Sequence, residues 1–484
     1  MAEVDKHRTT PFFCQTRRTP AVVALAAAML WCGGVAAQDG AAGGDSDVAG
    51  SDSGGSSALS RTIGVHPGLR LEGGFDSNIF FEDEQENPLS APSLSVVPFV
   101  EIDTRKSRSV ALKLKAEAEY LQYLSDDQRV QDQSGFFLRA QGSATFNPRG
   151  AVALRISDSF QRTNEAPSGA AFDSFNRIYN DLGAAIVIQP GGKILVVELG
   201  GHFAINRNSF VPDLDNQTIG MRLGASWRFL PKTKFVLNAS WDFVTYDQRV
   251  RSIPFYDEGE APDFVEPFEN DDTALRNINS QPLRIETGID GLVGRRLSIK
   301  ALIGYSKAFY DSGDDFSSIT GLFQGGYEIG PTSRFALGYE RNYQDTSFGN
   351  FMSFHKVFGR YNHQFGGKFD LMLEGNFQLQ QYRGFPQITL PSVSVDGQPG
   401  AGAFSDTERD DPVFGARAEG TYYFGSVFMV GARYMLDVNA SDFVLVTGIR
   451  SPEGVNVDND INQGGTATVQ FVKHRAFIFT GVRW

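Results

Sequence analysis

Between Val110 and Tyr120 the chain alternates almost without a break. Val110, Leu112, Leu114, Ala116, Ala118 and Tyr120 fall on one side; Lys113, Lys115, Glu117 and Glu119 fall on the other. Successive side chains of a β-strand point to opposite faces, so this segment is oily on one face and charged on the other. The rhythm returns at 219–229, 235–243 and 369–380. There Trp227, Phe235, Trp241, Phe369 and Phe377 take the apolar side, while Arg222, Arg228, Asp242 and Glu374 take the polar side. A soluble sandwich also alternates, turning its apolar face to a core. Here the apolar face carries large aromatics on strand after strand, and the second face is densely charged. That combination suits a barrel with lipid outside and water inside. The modest apolar fraction, 41%, agrees with it, since every strand averages two opposite faces.

Tight turns punctuate the strands. They fall at Arg105-Lys106-Ser107, Asn147-Pro148-Arg149-Gly150, Pro190-Gly191-Gly192, Pro231-Lys232-Thr233, Gly294-Arg295-Arg296, Gly330-Pro331-Thr332, Gly366-Gly367-Lys368 and Gly425-Ser426. Gly, Pro and Asn supply the backbone angles such turns require. Between the hairpins run longer polar loops, clearest at 249–278 and 384–411. Short turns at one end and long loops at the other predict an all-β transmembrane antiparallel barrel with periplasmic turns and extracellular loops. Counting an opening strand at 66–80, eight hairpins and a closing strand gives about 18 strands over 64–484. The closing strand is expected to span 461–484 with a bulge at Lys473-His474-Arg475. There the apolar phase shifts from Val469 and Phe471 to Ile478, Val482 and Trp484. Its partner is expected to be an equally long strand at 426–448.

Residues 1–37 read as a secretory signal, with Lys6, Arg8, Arg17 and Arg18, then an apolar stretch from Ala21, then Val35-Ala36-Ala37 as the cleavage site. Residues 38–63 form a Gly/Ser/Asp linker too polar to bury a core. Both cysteines, Cys14 and Cys32, lie within the signal, so the exported chain is expected to hold no disulfide and no thiolate chemistry. The formal charge of −13 becomes more negative once the signal is gone, and an acidic chain is a poor partner for nucleic acid. The end at Gly481, Val482 and Trp484 alternates and is aromatic, as the outer-membrane assembly machinery reads its clients.

The opening strand carries Gly73-Gly74-Phe75-Asp76-Ser77-Asn78-Ile79-Phe80, followed after a loop by Ser93-Leu94-Ser95-Val96-Val97-Pro98. This resembles the start of the β-barrel porins encoded with bacterial exopolysaccharide systems, with Ser77 where that family more often has Asp. The resemblance implies an outer-membrane barrel and, through it, polysaccharide export with a periplasmic export component as partner.

No catalytic signature appears: Gly-x-Ser-x-Gly, His-Glu-x-x-His and the Walker loop are all missing, so no enzyme and no cofactor are expected. The aspartates at 271, 272, 314, 315, 458 and 460 fit no calcium-loop spacing and read as solvated surface charge. His355 and His363 read as scattered polar fill of the lumen. Phe75, Tyr120, Tyr123, Trp227, Trp241, Tyr422, Tyr434 and Trp484 are expected to include interfacial girdle residues. The candidate pore lining is Lys113, Lys115, Glu117, Glu119, Arg139, Arg155, Arg222, Arg228, Arg284, Glu286, Glu374, Arg417, Glu419 and Arg433. Asp290, Glu328, Glu340 and Asp437 are expected on the same face. Such a wall either sets a transverse field that selects solutes or is mutually neutralising fill. The sequence therefore predicts a porin-like barrel in the outer membrane, in contact with lipid and lipopolysaccharide, passing hydrophilic solutes or polysaccharide. The alternative is a closed barrel that binds partners through its surface loops.

Overall fold

A computed structural model of the chain describes residues 64–82, 87–104, 109–164, 176–208, 215–247, 278–311, 315–346, 350–383, 409–441, 444–446, 466–468 and 470–484. The signal, the linker, both cysteines, the 105–107 turn and nearly all of the two long loops lie outside those residues.

Eighteen strands make one antiparallel sheet that closes on itself. The first six are β1 (Gly64–Asp76), β2 (Ala91–Asp103), β3 (Val110–Tyr123), β4 (Gly135–Phe146), β5 (Val152–Thr163) and β6 (Arg177–Ile188). Then come β7 (Leu195–Asn208), β8 (Asn216–Leu230), β9 (Thr233–Tyr246), β10 (Ser280–Leu292), β11 (Leu297–Tyr310) and β12 (Phe316–Glu328). The wall continues through β13 (Ser333–Asp345), β14 (Phe351–Phe365), β15 (Phe369–Arg383), β16 (Arg409–Phe424) and β17 (Phe428–Asn439). After a small separate ribbon of β18 (Val444–Val446) and β19 (Thr466–Thr468), the last barrel strand is β20 (Phe471–Arg483). β20 pairs with both β17 and β1, and this closes the barrel. The turns use the expected residues. Gly366 and Gly367 take φ of +55° and +68°, the left-handed angles of a tight hairpin, and Asn147 takes +54°. Residues 190–193 wind into a single helical turn, α2 (Pro190–Lys193); α1 (Gln128–Gln131) is another, capped by the Asp127 carboxylate on the Arg129 N–H.

Alternation sorts the side chains between the two faces. Leu199, Ile219, Ile303, Ile319, Phe323 and Ile478 are between 55% and 71% exposed and all point outward. A contiguous apolar belt of that kind does not persist in water and marks a surface built for lipid. Most of the expected girdle aromatics join it; Tyr123 instead packs against the buried cluster of Ile79, Phe80, Ala91 and Val130. Midway along β5 the belt is broken by Asp158. It sits between the outward Ile156 and Phe160 and accepts a hydrogen bond from Asn180 Nδ2 at 2.6 Å.

The opening strand ends at Asp76, and from there to Glu82 the chain forms a clasp across the seam instead of continuing the strand. Asp76 pairs with Lys473 at 3.0 Å, with both side chains enclosed. Ser77 donates its N–H to the His474 carbonyl and accepts the His474 N–H on its hydroxyl, at 2.9 and 2.8 Å. Asn78, wholly buried, accepts the Glu82 N–H and donates to the Glu82 and Val472 carbonyls. Lys473 also donates to the Ile79 carbonyl and lies 3.9 Å from the Phe81 ring centre.

Two expectations are corrected here. The closing strand begins at Phe471 and pairs with β17 in unbroken register, without a bulge. The phase shift has another cause: Phe471, Phe477 and Phe479 take inward positions, Phe471 against the ring of Phe81, while Ile478, Val482 and Trp484 point outward. The strand before it ends at Asn439. There Asn439 and Ser441 bond Asp411, and the chain leaves the wall for the β18–β19 ribbon. The second correction concerns His355 and His363, which face outward. His355 bonds the Tyr339 hydroxyl at 2.7 Å, and His363 meets Ser333 and the rings of Tyr361 and Phe365.

Candidate functional site: the charged inner wall

Register places all fourteen candidate lining residues on the concave face. Glu117 stands opposite Arg139, Arg222 opposite Ser240, and Ser240 opposite Arg284. Glu374 lies between Arg360 and Arg417, and Glu419 lies opposite Arg433. Opposite charges thus meet within single strands, between neighbouring strands and across one intervening strand. Lys115–Glu117 is 3.0 Å, Arg155–Glu198 2.6 Å, Arg360–Glu374 3.0 Å, Arg417–Glu419 2.6 Å and Arg433–Glu72 2.7 Å. Arg475–Asp437 and Lys234–Asp290 continue the pattern at 2.9 and 3.2 Å. The exposed pairs among them, all but the largely buried Arg433–Glu72, contribute under about 1 kcal/mol each to stability. Their effect is electrostatic: rows of fixed dipoles line a wet interior.

The charges converge most densely on β5–β10. His202 lies between two carboxylates, Nδ1 at 3.0 Å from Asp181 and Nε2 at 2.9 Å from Asp242, with Arg222 reaching Asp181 at 3.3 Å. Arg155, Glu198, Arg284 and Glu286 complete one side of a recess of about 790 Å³. The other side is formed by the end of β13. The β12–β13 ladder runs from Glu328 opposite Arg334 to Gly321 opposite Arg341 and stops there. Beyond it the β13–β14 tip bends inward over β12. Asp345 accepts hydrogen bonds from Ser280 Oγ of β10 and from the Tyr310 hydroxyl of β11, the latter at 2.8 Å. The Tyr343 carbonyl accepts one from Arg284 at 3.3 Å. Tyr343 stacks on Phe316 with ring centres 4.1 Å apart, and Phe351 closes the cluster. Tyr343, Gln344 and Asp345 thereby line the recess from this side. Among the described residues no His/Cys/Asp/Glu group is placed to hold a metal ion.

Solved structures with TM-scores of 0.41 to 0.43 are similar to the chain at the level of fold. It is similar to OpdK of Pseudomonas aeruginosa, crystallised with vanillate: 12% identity, TM-score 0.42, covering 87% of this chain and 99% of that one. It is similar also to OccAB4 of Acinetobacter baumannii (11%, 0.41, 87% and 98%) and to the FrpB iron transporter of Neisseria meningitidis (10%, 0.43, 88% and 82%). At these identities no chemistry carries over. No protein-family model and no curated protein matches the chain. The resemblance to the exopolysaccharide-system porins finds no support in these comparisons, and the structure engages the core of its motif, Asp76 to Asn78, in closing the barrel.

Several residues central to the wall were not singled out from the sequence: Glu72, Asp181, Glu198, His202 and Asp345; Asp242 was placed on the polar face but not among the candidates. Alternation assigns most of them to the polar face. Their grouping depends on strand register, which a single strand does not encode. Asp345 is harder still, because beyond Arg341 its strand keeps β14 but no longer pairs with β12.

Proposed function

We propose that this protein is a channel of the bacterial outer membrane that passes small hydrophilic solutes by diffusion along its charged inner wall. The observation that carries the reading is the pairing of two surfaces on one closed sheet: an outward belt of large apolar side chains and an inner wall of alternating ion pairs. Barrels of 16–18 strands are wide enough for an aqueous path. The latched β13–β14 tip supplies a constriction, and the recess beside it supplies charges of both signs within reach of a passing solute. Export of a polysaccharide chain is the weaker reading. The motif that suggested it is engaged in barrel closure, and the inward tip narrows the path such a chain would need.

The test is single-channel recording of the refolded protein in planar lipid bilayers. Discrete ohmic steps are expected. A correctly folded barrel that gives no steps overturns the proposal in favour of a non-conducting surface barrel.

A further inference from the structure

Where β12 and β13 part, the outer face changes character. Below the gap it is apolar, with Ile303, Phe323, Leu337 and Val357 all strongly exposed, and the exposed Ile319 carries the belt into the gap itself. At the gap it becomes cationic and hydroxylic. Arg341 stands opposite His355 on the outward side, and its guanidinium reaches Ser318 Oγ at 2.8 Å across the opening. Next along β12, Ser317 stands opposite the outward Lys307 and shares a hydrogen bond of 2.7 Å with the Tyr305 hydroxyl. Lys307 rests on the Phe309 ring at 4.3 Å. His355 holds the Tyr339 hydroxyl at 2.7 Å.

Two features separate this patch from the rest of the rim. Among the described residues neither Arg341 nor Lys307 has a carboxylate partner, whereas Arg207 bonds Asp215 and Asp247, and Arg383 bonds Asp410. The patch also sits where the apolar belt ends on the long-loop side, the depth at which lipid headgroups lie. A guanidinium and an ammonium with adjacent hydroxyl donors, at headgroup depth and without an internal anion, form the electrostatic complement of a phosphate group.

We propose that Arg341 and Lys307 hold the phosphate of a lipid headgroup in the leaflet that surrounds the loop end of the barrel. The site is on the outside of the wall and does not depend on whether the lumen conducts.

The experiment uses the full exported chain in nanodiscs of a phosphate-free galactolipid doped with diphosphorylated lipid A, with retained lipid A counted by native mass spectrometry. The same discs with fully dephosphorylated lipid A, and discs with inorganic phosphate in the buffer, form the comparison arms. Retention of diphosphorylated lipid A is expected to exceed that of the dephosphorylated form and to persist in millimolar phosphate. Arg341→Gln with Lys307→Gln is expected to lower it at least about tenfold, the loss of charge-assisted hydrogen bonds to one anion. Arg207→Gln, whose cation already has internal partners, should leave it unchanged. Equal retention of the two lipids, displacement by free phosphate, no effect of the double substitution, or an equal effect of Arg207→Gln would each overturn the assignment. Both sites are outward and at the rim, so folding is checked separately by the cold electrophoretic shift of an intact barrel.

Discussion

The clasp across the seam lends itself to a quantitative test through Lys473→Met. In the native protein Asp76 and Lys473 face one another at 3.0 Å with side chains 7% and 5% exposed. Removing the ammonium leaves the carboxylate enclosed, with the Asn78 N–H at 3.1 Å as its remaining neighbourly donor. Losing one partner of such a pair costs about 3–5 kcal/mol, because the remaining charge is desolvated without compensation. Lys115→Met provides the contrast. It removes an ion pair of the same length whose side chains are 54% and 21% exposed, and it should cost under about 1 kcal/mol. Urea titration in phospholipid vesicles, followed by tryptophan fluorescence, measures both. The double substitution Asp76→Asn, Lys473→Met should recover much of the loss, since it removes the orphaned charge along with its partner. If Lys473→Met cost no more than Lys115→Met, the claim that the 76–82 segment fastens the first strand to the last would fail.

Three further outcomes follow from the wall. Asp345→Ala removes the acceptor that holds the β13–β14 tip to Ser280 and Tyr310, so single-channel conductance should rise; an unchanged conductance would show that the tip does not constrict the path. Arg222→Ala takes a cation from beside Asp181 and His202, and reversal potentials in a salt gradient should shift toward cation preference. Asp158→Leu replaces a carboxylate inside the lipid-facing belt; it should raise the urea midpoint in vesicles, by up to about 2 kcal/mol in stability, and a lowered midpoint would argue that Asp158 stabilises the wall through Asn180.

The strand count and the face assignment were legible before any coordinates, because both follow from period-two alternation and from turn residues with restricted backbone angles. Lys115 and Glu117 could be assigned to the wet face from their own segment alone. That Glu72 meets Arg433, 361 positions along the chain, could not, because the contact exists only once the sheet has closed. The histidines misled for a related reason. An imidazole beside a tyrosine hydroxyl at the belt edge is as polar as one in the lumen, and residue type outweighed parity: His355 and His363 share the face of the outward Val357 and Phe365 on their own strand. At the C-terminal strand, aromatic residues on the inner face produced an apparent change of phase. The rule that apolar means outward fails where Phe471 packs on Phe81 and where Phe477 and Phe479 lie over Gly74 and Gly431 on the inner face.

The short ladder between β12 and β13 also bears on how the molecule fatigues. Backbone amides of Phe316 to Thr320 lack the cross-strand neighbours that β13 gives to Gly321 and beyond, so they should exchange with deuterium ahead of those in the flanking ribs. Heating would then begin to unzip the cylinder at this rib, well away from the point where its two ends were joined.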